Sequence, residues 1–315
     1  MSFSSEVKEE LSEQIASGRH CRLAETAAIL SLCGKIVITE NDRYCVKIQT
    51  ENLAVARKYF TLLRKTFNIR AEVSVRKSRE VRFYSVIVSK DPEARRLLGE
   101  TCLLDEDGNV SECMSPMHHR LLRQNCCRRA FIRGAFLAVG SVSDPEKSYH
   151  FEIVCTTVNM AEQLRRMMCS FSMDAKIVAR KKMYVVYLKE GAQLVDMLNI
   201  MEAHVSLMEL ENVRILKEMR NAVNRKVNCE TANINKTVSA AVKQVEDIRY
   251  IQQTIGLDKL SDGLKEMAIL RLEHPDATLK ELGEISDPPV GKSGVNHRLR
   301  KIGEIAEGVR QNKED

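Results

Sequence analysis

The chain has 315 residues, 44% hydrophobic, 29% charged and 5% aromatic, with no tryptophan and a formal net charge of +6. This length suits about two domains with sizeable cores, and the composition is that of a folded soluble protein, which excludes collagenous, low-complexity and disordered chains. A charge of +6 permits an acidic partner without requiring one, so the placement of the cations decides more than their number.

Ser4 or Ser5 caps a first helix that runs to about Ala16, with glutamates in its early turns as the helix dipole favours. Leu23 to Thr39 (LAETAAILSLCGKIVIT) then gives a small-residue helix, a terminal glycine at Gly34 and a strand. Strands are expected at Lys35–Thr39 and Tyr44–Thr50, with Asn41 and Asp42 at the turn. Asn52 caps a helix through Phe67 that turns Leu53, Ala56, Tyr59, Phe60 and Leu63 inward. A hairpin through Ala71–Arg76 and Val81–Val88 and a short helix at Asp91–Gly99 follow, and the polar, turn-rich Thr101–Ser115 forms a joint.

The order then repeats. A helical region from Pro116 leads into Arg128–Pro145 (RRAFIRGAFLAVGSVSDP), where Ile132, Ala135, Phe136 and Val139 share one helical face and Gly140 ends it. Strands near Tyr149–Thr156, a helix from Asn159 to about Phe171, strands at Ala175–Ala179 and Tyr184–Leu188, and a helix from Ala192 complete the second half. The two terminal glycines lie roughly a hundred residues apart, too far for a solenoid period and suited to a duplicated domain half. Small residues let the two helices approach closely as a seam, and glycine at each end permits a left-handed exit. A long helix from Glu202 to about Arg225 closes the domain, and the polar Asn228–Thr237 (NCETANINKT) breaks the pattern.

The expected architecture is therefore α+β. A duplicated αββαββα domain spans residues 1–226, with repeats at about 20–100 and 116–200. A linker at 227–239 precedes an all-helical domain at 240–313. Its helices are Ala240–Ile255, Asp262–Glu273, Thr278–Ile285 and Ser293–Val309, punctuated by Pro275, Pro288 and Pro289.

In the last helix Val295, Leu299, Ile302, Ile305 or Ala306 and Val309 make one apolar stripe. Between Gly291 and Lys301 stand four cations and no acid, and Ser293 is a natural N-cap. The preceding helix (LKELGEI) reaches this one through a proline turn, which makes a helix-turn-helix whose second helix enters a major groove of double-stranded DNA. Asn296, His297 and Arg300 are assigned to base edges, and Lys292, Ser293, Arg298 and Lys301 to phosphates.

The runs Thr26–Gly34 (TAAILSLCG) and Ile132–Gly140 (IRGAFLAVG) resemble the paired signature helices of LAGLIDADG homing endonucleases. In those nucleases the residue before the final glycine is the metal-holding acid; the corresponding positions here are Cys33 and Val139. Valine is no ligand and a lone thiol is a poor one for magnesium, so no catalytic residue, metal or cofactor is expected. With the helix-turn-helix, and with Asp144-Pro145, YHFEI, NCETANINKT and LKELGEISDPPVGKSGVNHRLRKI as its most specific passages, the chain resembles the WhiA family over nearly its whole length. The resemblance implies a non-enzymatic, sequence-specific DNA-binding transcription regulator, acting in sporulation or in cell division and chromosome segregation of Gram-positive bacteria. The alternatives are an active homing-type endonuclease and a DNA-tethered adaptor whose large domain binds a protein partner.

Other signals are weaker. Gly291-Lys292-Ser293 ends like a P-loop, but Ser286 stands where that loop needs glycine and no strand precedes it. His118-His119 and Cys126-Cys127 suggest zinc, yet helix neighbours point about 100° apart, so neither adjacent pair makes a chelate, no CxxC occurs, and these residues are expected to divide between core and surface. Asp144 and Glu152 are candidates to replace the lost acids, but they read as a turn residue and an ordinary strand residue. The run Arg120, Arg123, Arg128, Arg129 and Arg133, with hairpin tips Arg76, Lys77, Arg79 and Arg180, Lys181, Lys182, is either a second DNA surface or a solvated or interdomain face. Cys21, Cys33, Cys45, Cys155 and Cys169 are expected to be reduced, buried hydrophobes. The start, MSFSSEVKEELSEQ, is unlike a secretion signal and no apolar run reaches membrane-spanning length. A cytoplasmic, nucleoid-associated location without a membrane partner is expected.

Overall fold

A computed structural model describes residues 2–38, 43–78, 81–104, 110 and 120–314. The expected turn at Asn41-Asp42, most of the joint after Thr101, Arg79, His118 and His119 lie outside the described residues, as does the side chain of Arg120. The chain divides into two compact units, Met1–Lys217 and Glu218–Asp315.

The first unit opens with α1 (Phe3–Glu13), capped by Ser2, whose side chain accepts from the Ser5 amide, rather than by Ser4 or Ser5. Two matching sets of elements follow. The first is α2 (Arg19–Cys33), β1 (Gly34–Ile38), β2 (Tyr44–Thr50), α3 (Leu53–Phe67), β3 (Glu72–Ser78), β4 (Val81–Val88) and α4 (Asp91–Glu100). The second is α5 (Asn125–Val139), β5 (Gly140–Val142), β6 (Phe151–Cys155), α6 (Val158–Cys169), β7 (Lys176–Arg180), β8 (Met183–Leu188) and α7 (Gly191–Met201). Each set folds a four-stranded antiparallel sheet, in the orders β1-β2-β4-β3 and β5-β6-β8-β7. Local chemistry fixes the helix starts: Asn52 accepts from the amides of Ala54 and Val55, and Thr157 from that of Met160. In α3, Ala56, Tyr59 and Leu63 are buried and Phe60 half-buried as expected, but Leu53, in the first turn, is exposed.

Strand alternation leaves one face of each sheet under the helices. Val46, Ile48, Val86 and Val88 are buried on that face of the first sheet, and Phe151, Ile153, Val186 and Leu188 on that of the second. The seam is the packing of α2 on α5. A Cβ on Gly134 would come within 2.5 Å of the Glu25 carbonyl oxygen, so only glycine lets the backbones approach this closely. The terminal glycines serve differently from the expectation. Gly34 and Gly140 have extended, negative-φ backbones, not left-handed ones. A Cβ would strike the Leu30 carbonyl oxygen at 2.3 Å in one and Phe136 in the other, so their role is steric room at the helix-to-strand exit.

The longest helix, α8 (His204–Thr254), runs through the expected polar break at Asn228–Thr237. These residues are fully helical because asparagine and threonine cost only tenths of a kcal/mol each, and neither glycine nor proline interrupts 204–254. All residues from 218 to 240 are exposed. The second unit then adds α9 (Asp262–Glu273), α10 (Leu279–Ile285) and α11 (Lys292–Glu314) around Ile248, Ile251, Met267, Leu282, Val295, Leu299 and Ile302. No described helix is long and apolar enough to cross a membrane.

Candidate nucleic-acid interface

The second unit presents α11 on a rigid support. Thr278 and Glu281 form a reciprocal capping box that starts the short α10, and buried Arg271 donates to the Ala277 carbonyl at 2.7 Å to fix the approach. Between α10 and α11 the backbone closes tightly. The Val290 amide donates to the Gly283 carbonyl at 2.9 Å, and a Cβ on Gly283 would lie 2.0 Å from the Val290 oxygen. The first turn of α11 is closed by the Gly291 carbonyl, which accepts from the Gly294 and Val295 amides. Gly291, not Ser293, is therefore the cap residue, and Ser293 stands inside the first turn.

Val295, Leu299, Ile302 and Ala306 are buried, while Ile305 and Val309 are half-buried. On the outer face Lys292, Ser293, Asn296, His297, Arg300 and Lys301 are exposed. Arg300 pairs along its own helix, with Glu304 at 3.2 Å. Asn296 and Arg300 border a cleft shared with Gln244 of α8. Arg298 departs from its assignment. It is half-buried, its guanidinium lies 3.5 Å from Glu266 on α9, and it packs beside Gly263. Three residues after Val295 and four before Ile302, it belongs to the border of the apolar stripe, where it ties α11 to α9 instead of facing outward.

In the first unit, the positions of the nuclease acids lie at the C-terminal ends of α2 and α5. Cys33 is half-buried and donates to the Ile29 carbonyl at 3.1 Å. Burial pushes its thiol up to about 12, an effect the Lys8 ammonium beside it only reduces. Burial also brings Lys8 down to about 8, and its ammonium lies 5.6 Å from the Phe136 ring centre. A thiol that resists ionisation, a valine and an adjacent lysine do not fit a magnesium ion. Asp144 accepts from the Glu146 amide in a turn, and Glu152 is held by His150 and Ser141.

Further along the seam lies a buried ionic network that pattern reading missed. Glu25 sits 3.0 Å from Lys58 on α3 and 3.0 Å from Arg133 on α5, and Arg133 reaches Glu202 at 2.6 Å. Lys58 also donates to the carbonyls of Leu11 and Gln14. Burial opposes both cations. The Lys58 pKa is lowered, whereas Glu25 and Glu202 more than offset burial at Arg133 and raise it. Arg133 therefore leaves the basic run considered for DNA. The only sequence signal was an acid, Glu25, inside a small-residue helix.

Of the remaining basic candidates, Arg123, Arg76, Lys77, Arg180, Lys181 and Lys182 are exposed. Register separates them. Arg76 pairs with Phe83 and Arg180 with Met183, which places both on the sheet faces away from the helices and at matching positions in the two halves. Lys77 shares the face of Val73 and Val75. Cys21 and Cys155 are buried as expected, Cys33 and Cys45 are half-buried, and Cys169 is exposed.

Fold and site together define a class: a duplicated LAGLIDADG-like α+β unit joined to a helix-turn-helix unit. Family models agree along the chain. The WhiA N-terminal LAGLIDADG-like domain matches residues 19–104, the WhiA LAGLIDADG-like domain 128–220, and the WhiA C-terminal HTH domain 223–306. A relative from Lachnoclostridium phytofermentans, named "Probable cell division protein WhiA", is 55% identical over 99% of this chain and 100% of its own. One of the same name from Alkaliphilus oremlandii is 49% identical over 99% of both chains. The crystal structure of full-length DUF199/WhiA from Thermatoga maritima shares the fold, with a TM-score of 0.59 at 23% identity over 98% of both chains. The chain belongs to the WhiA family.

Proposed function

We propose that this chain is a sequence-specific, double-stranded-DNA-binding transcription regulator without nuclease activity, acting at the nucleoid in cell division. The observation that carries the reading is the outer face of α11, where Ser293, Asn296, His297, Arg300 and Lys301 are exposed opposite a buried stripe. Base-edge contacts fall to Asn296, His297 and Arg300, and phosphate contacts to Lys292, Ser293 and Lys301. Arg298 positions the helix. The misfit of Cys33, Val139 and Lys8 to magnesium supports a regulator over an endonuclease, and the name its relatives carry favours cell division over sporulation. Arg76 and Arg180, repeated on the open sheet faces, supply a second and weaker contact to duplex.

The test is DNA binding by the full chain over a salt series with magnesium present. Binding that weakens with salt and with Arg300→Ala, with the DNA recovered intact, is the expected result. Cleaved DNA would overturn the non-enzymatic reading. Affinity that resides in the helix-turn-helix unit, with no salt-sensitive affinity in the large unit, would favour the DNA-tethered adaptor whose large unit binds a protein partner.

A further inference from the structure

The opposite end of the seam holds four side chains that the DNA-binding reading does not use. His20 and Cys21 begin α2, and Cys126 and Cys127 begin α5. Across the seam, His20 Nδ1 lies 3.2 Å from Cys127 Sγ, 3.3 Å from Cys21 Sγ and 3.9 Å from Cys126 Sγ. All four ligand atoms fall within 4.8 Å of one another. We propose that these residues form a structural zinc site, Cys3His, that clamps the N-terminal ends of the two seam helices.

The ligand set is that of closed structural zinc sites, three thiolates and one imidazole with no position left for water. Tetrahedral bonds of about 2.3 Å to sulfur and about 2.0 Å to nitrogen separate ligand atoms by about 3.5–3.8 Å. The observed separations bracket that range, so small side-chain rotations close the site. Thiolate softness selects zinc over magnesium or calcium.

Two further observations point the same way. Neither Gly18 nor Gln124, the residues preceding the two helices, supplies a side-chain cap, so no capping side chain offsets the positive end of either helix dipole beside the cysteines. Gly18 also makes room for the imidazole, since a Cβ there would lie 2.8 Å from His20 Nε2. Zinc binds the thiolate forms and so releases the thiol protons. Adjacent residues on one helix do not chelate alone; here the fold supplies a second pair from another helix.

The experiment uses the untagged full chain, purified in thiol reductant without chelator. Elemental analysis should find about one zinc per chain, as a single four-ligand site requires. Cobalt exchanged into the site should give the intense visible bands of tetrahedral cobalt-thiolate. Cys126→Ser and His20→Ala, both at exposed positions, should weaken zinc affinity by at least about 100-fold, beyond what outer-shell changes cost. Cys229→Ser, an exposed thiol on α8, should leave zinc affinity unchanged. A chain that carries no zinc and develops no such bands with cobalt overturns the proposal. So does zinc retained by both ligand variants, or a disulfide among these cysteines that persists through purification in thiol reductant.

Discussion

The arginines of the seam and those of the last helix begin from the same sequence signal and end in opposite environments. Arg133 is 2% exposed and locked between Glu25 and Glu202, while Arg300 is exposed and, among the described residues, pairs along its own helix. The difference is the partner. A buried guanidinium has been matched by an acid 108 positions away, whereas an outward one keeps donors for a ligand. Local cation density did not separate the two.

The largest expected effect comes from breaking the buried side. Glu25→Gln removes the shared anion and leaves Lys58 and Arg133 underpaired, so the first unit should lose about 3–5 kcal/mol in chemical denaturation. A loss under about 1 kcal/mol would show that the network is already solvated. On the other side, the turn that sets α11 should be intolerant of a single methyl. With the Val290 oxygen so close, Gly283→Ala should cost the second unit about 1–3 kcal/mol, seen as an earlier melt of the α9–α11 signal. An unchanged melt would mean that the turn gives way freely. Arg300→Ala should leave folding intact yet cost about 1–3 kcal/mol of specific DNA affinity, measured by titration on a selected site against scrambled duplex. Equal loss on both duplexes would reassign Arg300 to phosphate.

The smallest effect is a pH dependence at the seam. Folded Lys8 titrates near 8 and a free lysine at 10.5, so between those values the unfolded chain holds more protons and folding gains stability as pH rises. Lys8→Met removes that gain. The variant should exceed the natural chain below pH 8, and its advantage should shrink towards pH 10.5. A constant difference across that window would mean that Lys8 keeps its proton when buried.

Much of the fold is legible because it is set locally. Asn52 caps the helix that follows it, strand alternation fixes the covered sheet faces, and Asp262–Glu273 is the ninth helix end to end. What escaped depends on partners distant in sequence. The burial of Arg133 needs Glu25, the inward turn of Arg298 needs Glu266, and the approach of His20 to Cys127 needs the seam itself. The helix through Asn228–Thr237 is hidden for a different reason: its composition is polar, and only the lack of glycine and proline in the segment marks the helix as unbroken. On α11 the outer face was readable from helical period, and the misplaced cap shifted only its first turn.

The seam network also bears on how the chain is made. Glu25 and Lys58 belong to the first half, Arg133 and Glu202 to the second. Each half thus carries one acid and one base that meet within it, and the contact between Glu25 and Arg133 joins the two pairs. As the polypeptide leaves the ribosome, the leading half can collapse with its interior charge already neutralised. Docking of the trailing half then merges two balanced pairs, and at no stage does either half bury an ion that must wait for the other.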